Sequence, residues 1–319
     1  YLLHINLMNK KLYIVGNGFD MWHDLSTSYK CFNCFMHRTH PKKQKLIGHI
    51  FNRTDANMLW SDYENMLSQL DIIGLVKNNI ATFVNCAQYN IENTFDTLYE
   101  DLRGFFHEWA CNINCCSIEN GKRLAIDKNA KFLTFNYTNT LENLYGISSE
   151  KICYIHGDTS NNNLYMPEVG HGDSFFEDKV HSMKDEIFRL VVEYGKLHTL
   201  NNNPDYITDE IITHISTLLK DLQKKTDTLL TNNIDWFNNL RNIDEIYVLG
   251  HSLSKVDAPY FSKIHSVLPY AIWRVSYFGA NEKCTRKQKL CDLLEVSPEN
   301  INVELFTLDE LAMPIKYQK

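Results

Sequence analysis

The chain has 319 residues, 44% of them hydrophobic, with 32 lysines and arginines against 39 aspartates and glutamates, a formal net charge of -7. That length buries a sizeable core, in one large domain or in a core domain carrying an inserted one. The acidic balance gives no long-range attraction for a phosphate backbone, which sets nucleic acid aside as a main partner, and no run approaches the roughly 18 consecutive apolar residues of a membrane span, so no membrane partner is expected and the chain is read as cytoplasmic.

MNKKLYIVG, from Met8, reads as the natural beginning of a first strand, and residues 1–7 are left aside. The apolar run LYIVG (12–16) stops at GNGFD (16–20). Gly16 and Gly18 tolerate backbone angles closed to other residues and let a phosphate approach the main chain, and a helix beginning there presents N–H groups to it. The spacing is not GxGxxG, so a plain strand-to-helix turn is an equal reading. Asp20 is placed either to cap the helix or to recognise a ribose.

Farther on, KKQK at 42–45 reads as a solvated helix face. In WSDYE (60–64), Trp60 and Glu64 share one helix face. Glu64 is carried as a substrate-side candidate, with a solvated surface as its plainer role. In TFDTLYEDLRGFFHEWA (94–110), Phe95, Leu98, Leu102, Phe105, Phe106 and Trp109 recur at helical spacing and mark a packing face. Nine cysteines, an odd number scattered through predicted elements, read as reduced thiols. The one CxxC (Cys31, Cys34) and the group Cys111, Cys115 and Cys116 lack the paired spacing of a zinc site, so no metal is expected.

KFLTF (131–135) is followed by Asn136, whose amide offers a donor and an acceptor without charge. Its plainer role is to hold the turn, and Thr138, Thr140 and Glu142 read as the capped start of a helix. KICYI (151–155) ends in His156 and Gly157, placing a side chain that accepts a proton near neutral pH at a strand end with space beside it. ITDEIITHISTLLKDLQ (207–223) repeats the helical stripe. EIYVLG (245–250) runs into GHSLSKVD, where Gly250 and Ser252 suit a turn gripping ribose or phosphate and Asp257 begins the following helix, as a nucleotide-binding candidate or as its N-cap. IWRVSYF (272–278) and INVELF (301–306) close the set.

Continuous β-branched runs suit strands buried on both faces of a parallel sheet, and strands separated by helices argue for an α/β fold with helices on both sides. The stretches between the first and second runs and between the third and fourth exceed any crossover helix. The expectation is therefore one α/β domain over 8–319, a three-layer Rossmann-like parallel sheet with helical insertions at about 40–125 and 174–240. Ligands collect at the carboxyl ends of strands in such sheets, where the polar ends Gly16–Asp20, Asn136, His156 and Gly250–Asp257 fall.

GNGFDxxHxLxTSY at 16–29, WSDYE, FLTFNYTNTLE at 132–142, IHG at 155–157 and LGHSLSKVDAPYF at 249–261 together resemble, in order over most of the chain, the AbiH family of bacterial phage abortive-infection proteins. That family in turn looks like a distant relative of the sirtuin-type NAD-binding fold. The resemblance implies catalytic roles for Asn136 and His156. It implies a nucleotide-binding set of Gly16, Asn17, Gly18, Phe19, Asp20, His23, Gly250, His251, Ser252 and Asp257. NAD or a related nucleotide would be the substrate, with no cofactor required. Here His23 is followed by Asp24, Leu25 and Ser26 where the family usually has glycine, leucine and proline. The two CxxC pairs of protein deacylases are absent, which leaves water as the acceptor. The implied function is a phage-defence effector hydrolysing NAD at the nicotinamide-ribose bond. Its alternative is a non-catalytic nucleotide-binding sensor or interaction module, and a homo-oligomer or a defence-system partner is compatible with either.

Overall fold

The computed structural model describes residues 10–50, 71–89, 98–113, 122–157, 176–198, 203–221 and 225–313. Trp60, Glu64, Cys115, Cys116 and Leu222 lie outside the described residues. In chain order the elements begin β1 (Lys11–Val15), α1 (Asn17–Trp22), α2 (Tyr29–Thr39), α3 (Pro41–Ile50), α4 (Ile72–Tyr89), α5 (Leu98–Cys111), β2 (Lys131–Thr134), α6 (Thr140–Tyr145) and β3 (Ile152–Tyr154). They continue α7 (Phe176–Ser182), α8 (Lys184–His198), α9 (Pro204–Asp221), α10 (Thr226–Asn232), α11 (Ile234–Asn238), β4 (Glu245–Leu249), α12 (Ala258–Val267), β5 (Ile272–Ser276), α13 (Gly279–Leu294) and β6 (Val303–Phe306).

All six expected strands form, and they join one parallel sheet in the order β3-β2-β1-β4-β5-β6. β-branched and aromatic side chains buried on both faces leave no polar alternation, the pattern of a sheet covered on both sides. Leu12, Ile14, Leu133, Ile246, Val248, Trp273 and Val275 face a core completed by Phe237 of α11, Tyr260, Phe261 and Ile264 of α12 and Leu290 and Leu294 of α13. Tyr13, Val15, Phe132 and Leu249 face the opposite core, closed by Phe19 of α1 and Leu141 and Tyr145 of α6. The result is the expected three-layer Rossmann-like α/β architecture.

The chain divides into two compact units. The first, Tyr1–Thr27, Ala110–Pro167 and Lys225–Lys319, holds the sheet. The second, Ser28–Trp109 and Glu168–Lys224, is helical in its described residues. There Ile207, Ile211, Ile215, Leu218 and Leu219 of α9 are buried as their spacing predicts, with Leu75, Val76 and Phe83 of α4 and Ile187 and Val191 of α8 also buried. Phe32 of α2 packs its ring against Phe106 and Trp109 of α5 at 5.2 and 5.3 Å. Among the described residues no helix is long and apolar enough to cross a membrane.

Register places the polar strand ends. Val15 is level with Thr134 on one side and Leu249 on the other, and Thr134 is level with Tyr154. Gly16 and Gly250 therefore leave the sheet at one height, and Asn136 and His156, each two residues beyond a paired position, leave at another. The strand order reverses between β1 and β4, since β1 joins the two halves of the sheet, and such a switch point opens a crevice at the carboxyl edge.

Candidate functional site at the carboxyl edge of the sheet

The turns that follow β1 and β4 meet main chain to main chain. Gly16 donates its N–H to the Leu249 carbonyl at 2.9 Å and Gly18 to the Gly250 carbonyl at 2.8 Å. A Cβ on Gly16 would come within 2.5 Å of the His251 Cα, and one on Gly18 within 2.7 Å of the Gly250 oxygen. The glycines are thus explained by this contact, and both N–H groups are engaged by it. Gly250 in turn donates its N–H to the hydroxyl of Ser276 at the end of β5, at 2.8 Å. Asn17 and Ser252 stand exposed beside the junction, with the Asn17 amide donating to the Thr27 carbonyl at 2.9 Å.

Phe19 is wholly buried. His23, one turn later on the chain, is buried against the Phe19 and Tyr145 rings. A ring nitrogen facing a carbonyl must donate, so His23 Nδ1 donates to the Phe19 oxygen at 2.7 Å and Nε2 accepts from the Tyr145 hydroxyl at 2.6 Å. The same hydroxyl accepts from the Leu124 N–H at 2.9 Å. Burial pushes the His23 imidazole down to about 4 and the Tyr145 phenol up. His23 is therefore a neutral brace between the first turn and α6.

Asp20 is 1% exposed. Its Oδ2 accepts from the Thr138 hydroxyl at 2.5 Å, and Thr138 accepts from Thr140 at 3.0 Å. Burial raises the Asp20 carboxyl from 3.8 to about 6, with Thr138, Thr140 and Asn136 acting in the opposite sense. The capping expected of Thr138 and Thr140 is replaced by this arrangement: α6 has Asn139 at its N-cap position and no side-chain cap. Nor does Asp20 cap α1, whose N-cap position is Gly16.

Asn136 is buried at the end of β2, its N–H donating to Thr134 Oγ1 at 3.1 Å and its side-chain amide to the Gly16 carbonyl at 3.1 Å. That bond joins the β2 end to the β1 turn. His156 is 3% exposed and packs edge-on against Phe135 and Tyr260, centroids 5.2 and 5.9 Å away. Phe135 also packs against the ring of His251, centroids 4.3 Å apart. His251 Nδ1 accepts from the Leu253 N–H at 2.9 Å, which leaves its proton on Nε2, facing Asp257 Oδ2 at 3.4 Å. Asp257 occupies the N-cap position of α12 without making a side-chain cap bond, so its carboxylate serves His251.

The structure thus gathers Gly16, Asn17, Gly18, Asp20, Asn136, His156, Gly250, His251, Ser252 and Asp257 along one sheet edge, with Phe19 and His23 in the packing beneath. Arg286 was not anticipated. It is buried on α13, donating from Nε to the Ser276 carbonyl at 2.9 Å, from Nη1 to the Ser252 carbonyl at 3.3 Å and Glu282 at 2.8 Å, and from Nη2 to the His251 carbonyl. Its position among other basic residues, KCTRKQK (283–289), gives no sequence signal. Ser276 was hidden as well, because the apolar run IWRVSYF (272–278) continues past it although the strand ends there.

A family profile described as "Bacteriophage abortive infection AbiH" matches residues 12–277. Searches of curated proteins and of solved structures returned no significant match.

Proposed function

The chain belongs to the AbiH family of bacteriophage abortive infection proteins, and from that premise we propose that it is a defence effector that binds NAD and hydrolyses its nicotinamide-ribose bond. The observation carrying this reading is the parallel sheet with order 3-2-1-4-5-6 whose carboxyl edge collects Asn136 and His156 on adjacent strand ends, beside the switch point where dinucleotides bind in such sheets. The Gly16 and Gly18 N–H groups are engaged by the β4 turn. Phosphate contact accordingly falls to Asn17 and Ser252, exposed on either side of that junction.

Loss of nicotinamide builds positive charge on the ribose, so the site needs oriented dipoles and a base more than a strong nucleophile. Asn136 directs the ribose hydroxyls or the attacking water. Water adds to the ribose carbon as nicotinamide departs, and His156 takes the proton water gives up. A base of this kind contributes on the order of a hundred- to ten-thousand-fold. Purified protein incubated with NAD, with and without a phage trigger, should release nicotinamide. Folded His156→Ala and Asn136→Ala proteins should each lose that release, and unchanged release by either removes that residue from the chemistry.

The setting of His156 favours a second reading. Its ring is 3% exposed and packed against Phe135, Tyr137 and Tyr260, which leaves a substrate little access to it. The same edge would then bind NAD or ADP-ribose as a sensor without turnover. Calorimetric titration of both nucleotides beside the release assay separates the two, binding without release favouring the sensor.

A further inference from the structure

The apolar run IWRVSYF outlasts its strand. β5 ends at Ser276, whose hydroxyl accepts the Gly250 N–H, and the last two residues of the run leave the sheet at its carboxyl edge. Tyr277 is half-buried, with the Lys283 ammonium 5.3 Å from its ring centroid. Phe278 is 93% exposed. Of the exposed large aromatic side chains among the described residues, Tyr206 belongs to the helical unit and Tyr270 precedes β5 at the amino edge. Phe278 is the one that the carboxyl edge presents.

Leaving a phenylalanine ring in water forgoes what its burial would contribute, yet the chain beneath this ring is fixed. The Tyr277 N–H donates to the Phe306 carbonyl at 3.0 Å, and the Phe278 N–H to Glu282 Oε2 at 2.5 Å. Glu282 Oε1 in turn accepts from Arg286, whose guanidinium holds the His251 and Ser252 carbonyls. One carboxylate thus ties the residue carrying the ring to the turn that displays Ser252. Next along the chain Gly279, at φ +75°, has no atom within 4 Å of an added Cβ, so the space there is open. A single exposed apolar side chain is ordinary on a surface. A firmly held aromatic one, on the edge where ligands of such sheets collect, offers a π-face to a planar base.

In the nucleotide-binding reading, Asn136 and His156 serve the nicotinamide ribose at the ends of β2 and β3, and Asn17 and Ser252 the phosphates at the junction of β1 and β4. The other half of the dinucleotide then continues across the sheet, over β5. β3 and β5 are four steps apart in the strand order, about 19 Å at the usual strand spacing, a span that an extended dinucleotide covers. We propose that the Phe278 ring is the base platform of this site: the adenine of NAD or ADP-ribose stacks on it, and this contact selects adenine nucleotides over ligands that end at the phosphate. The proposal rests on nucleotide binding at this edge and holds whether or not NAD is hydrolysed there.

The test is calorimetric titration of the full chain with NAD, ADP-ribose and nicotinamide mononucleotide, the last carrying no adenine. Phe278→Ala should weaken binding of NAD and ADP-ribose about 5- to 150-fold, as removal of a base-stacking ring does, and leave nicotinamide mononucleotide unchanged. Phe278→Trp keeps a planar ring and should bind both adenine nucleotides at least as well as the parent, with its added fluorescence quenched by ADP-ribose. Phe278→Leu, apolar but without a π-face, should fall with Phe278→Ala. Urea midpoints should stay in place, because an exposed ring contributes little packing. If NAD is turned over, KM should rise in Phe278→Ala while kcat holds. Undiminished NAD binding by Phe278→Ala or Phe278→Leu, or an equal loss for all three ligands, overturns the proposal and leaves the nucleotide-binding reading standing. A parent protein that binds none of the three overturns that reading, and the platform with it.

Discussion

Gly18 and Gly250 lie back to back, the N–H of one donating to the carbonyl of the other at 2.8 Å. A Cβ on Gly250 would fall 2.1 Å from the Phe19 nitrogen, and Gly250 holds φ at +61°. The β1 and β4 turns are therefore one packed piece at the point where strand order reverses. The crevice inherits its shape from main chain, which has little freedom to step aside.

Gly250→Ala should consequently destabilise far more than Gly146→Ala. Gly146 also sits at positive φ, +64°, but at the C-cap of α6 with nothing within 4 Å of an added Cβ. Alanine there incurs only the left-handed penalty, about 1 kcal/mol. At Gly250 that penalty adds to overlap with fixed backbone, for a total of about 3 kcal/mol or more. Urea denaturation of both variants measures the difference, and equal losses would show that the two turns separate freely.

Asp20 makes stability depend on pH in the sense opposite to most carboxylates. Its folded value of about 6 lies above the ordinary 3.8, so the folded chain binds the proton more tightly. Its contribution is complete below pH 3.8 and is lost as pH rises through 6. Asp20→Asn, which never ionises, should therefore be more stable than the parent at pH 8 by up to about 3 kcal/mol. The advantage should fade by pH 4. Thermal melts across that range test it, and a constant difference at every pH would mean the carboxyl titrates alike in the folded and unfolded chain.

The sheet was legible because a strand buried on both faces cannot hide its continuous apolar run: LYIV, KFLT, ICY, EIYVL, IWRVS and VELF each announce themselves. The strand ends were legible for the same reason, since a polar residue directly after such a run has few places to go except the carboxyl edge. What the polar residues touch was not. Thr138 and Thr140 have the composition of a helix cap and instead supply hydroxyls to Asp20, a partner 118 positions away in the chain. His23 carries a site-like motif, yet both ring nitrogens are used by Phe19 and Tyr145. Local sequence can offer a donor or an acceptor, but only the three-dimensional fold chooses its partner.

His23 and Tyr145 supply the counterpart to Asp20. Burial lowers the imidazole to about 4, so the neutral ring contributes stability that is present above the ordinary value of 6.5 and lost as pH falls through 4. Tyr145→Phe removes the hydroxyl that serves both His23 and the Leu124 N–H, leaving two buried groups without that partner. A loss of about 1–3 kcal/mol at pH 7 is expected. Nicotinamide release per folded molecule should be unaffected, because this brace lies in the packing beneath the edge. A selective loss of turnover with full stability would place His23 in the site after all.

Arg286 tests whether the β4 turn needs a fork or merely a charge. Its guanidinium reaches the Ser276, His251 and Ser252 carbonyls at once, and Glu282 meets it from the same helix. Burial pulls its pKa down from the ordinary guanidinium value, yet arginine remains charged where a lysine can release its proton. Arg286→Lys keeps a cation of similar reach but offers three donors from one point, and cannot satisfy carbonyls arranged around a plane. The variant should lose about 2–3 kcal/mol, the sum of one or two unmet buried acceptors. If Ser252 contacts the nucleotide, the affinity for NAD should fall with it while nicotinamide release at saturating NAD changes little. Calorimetry and denaturation on the same preparation read both, and a variant as stable as the parent with undiminished affinity would show that the turn is held by Gly250 and Ser276 alone.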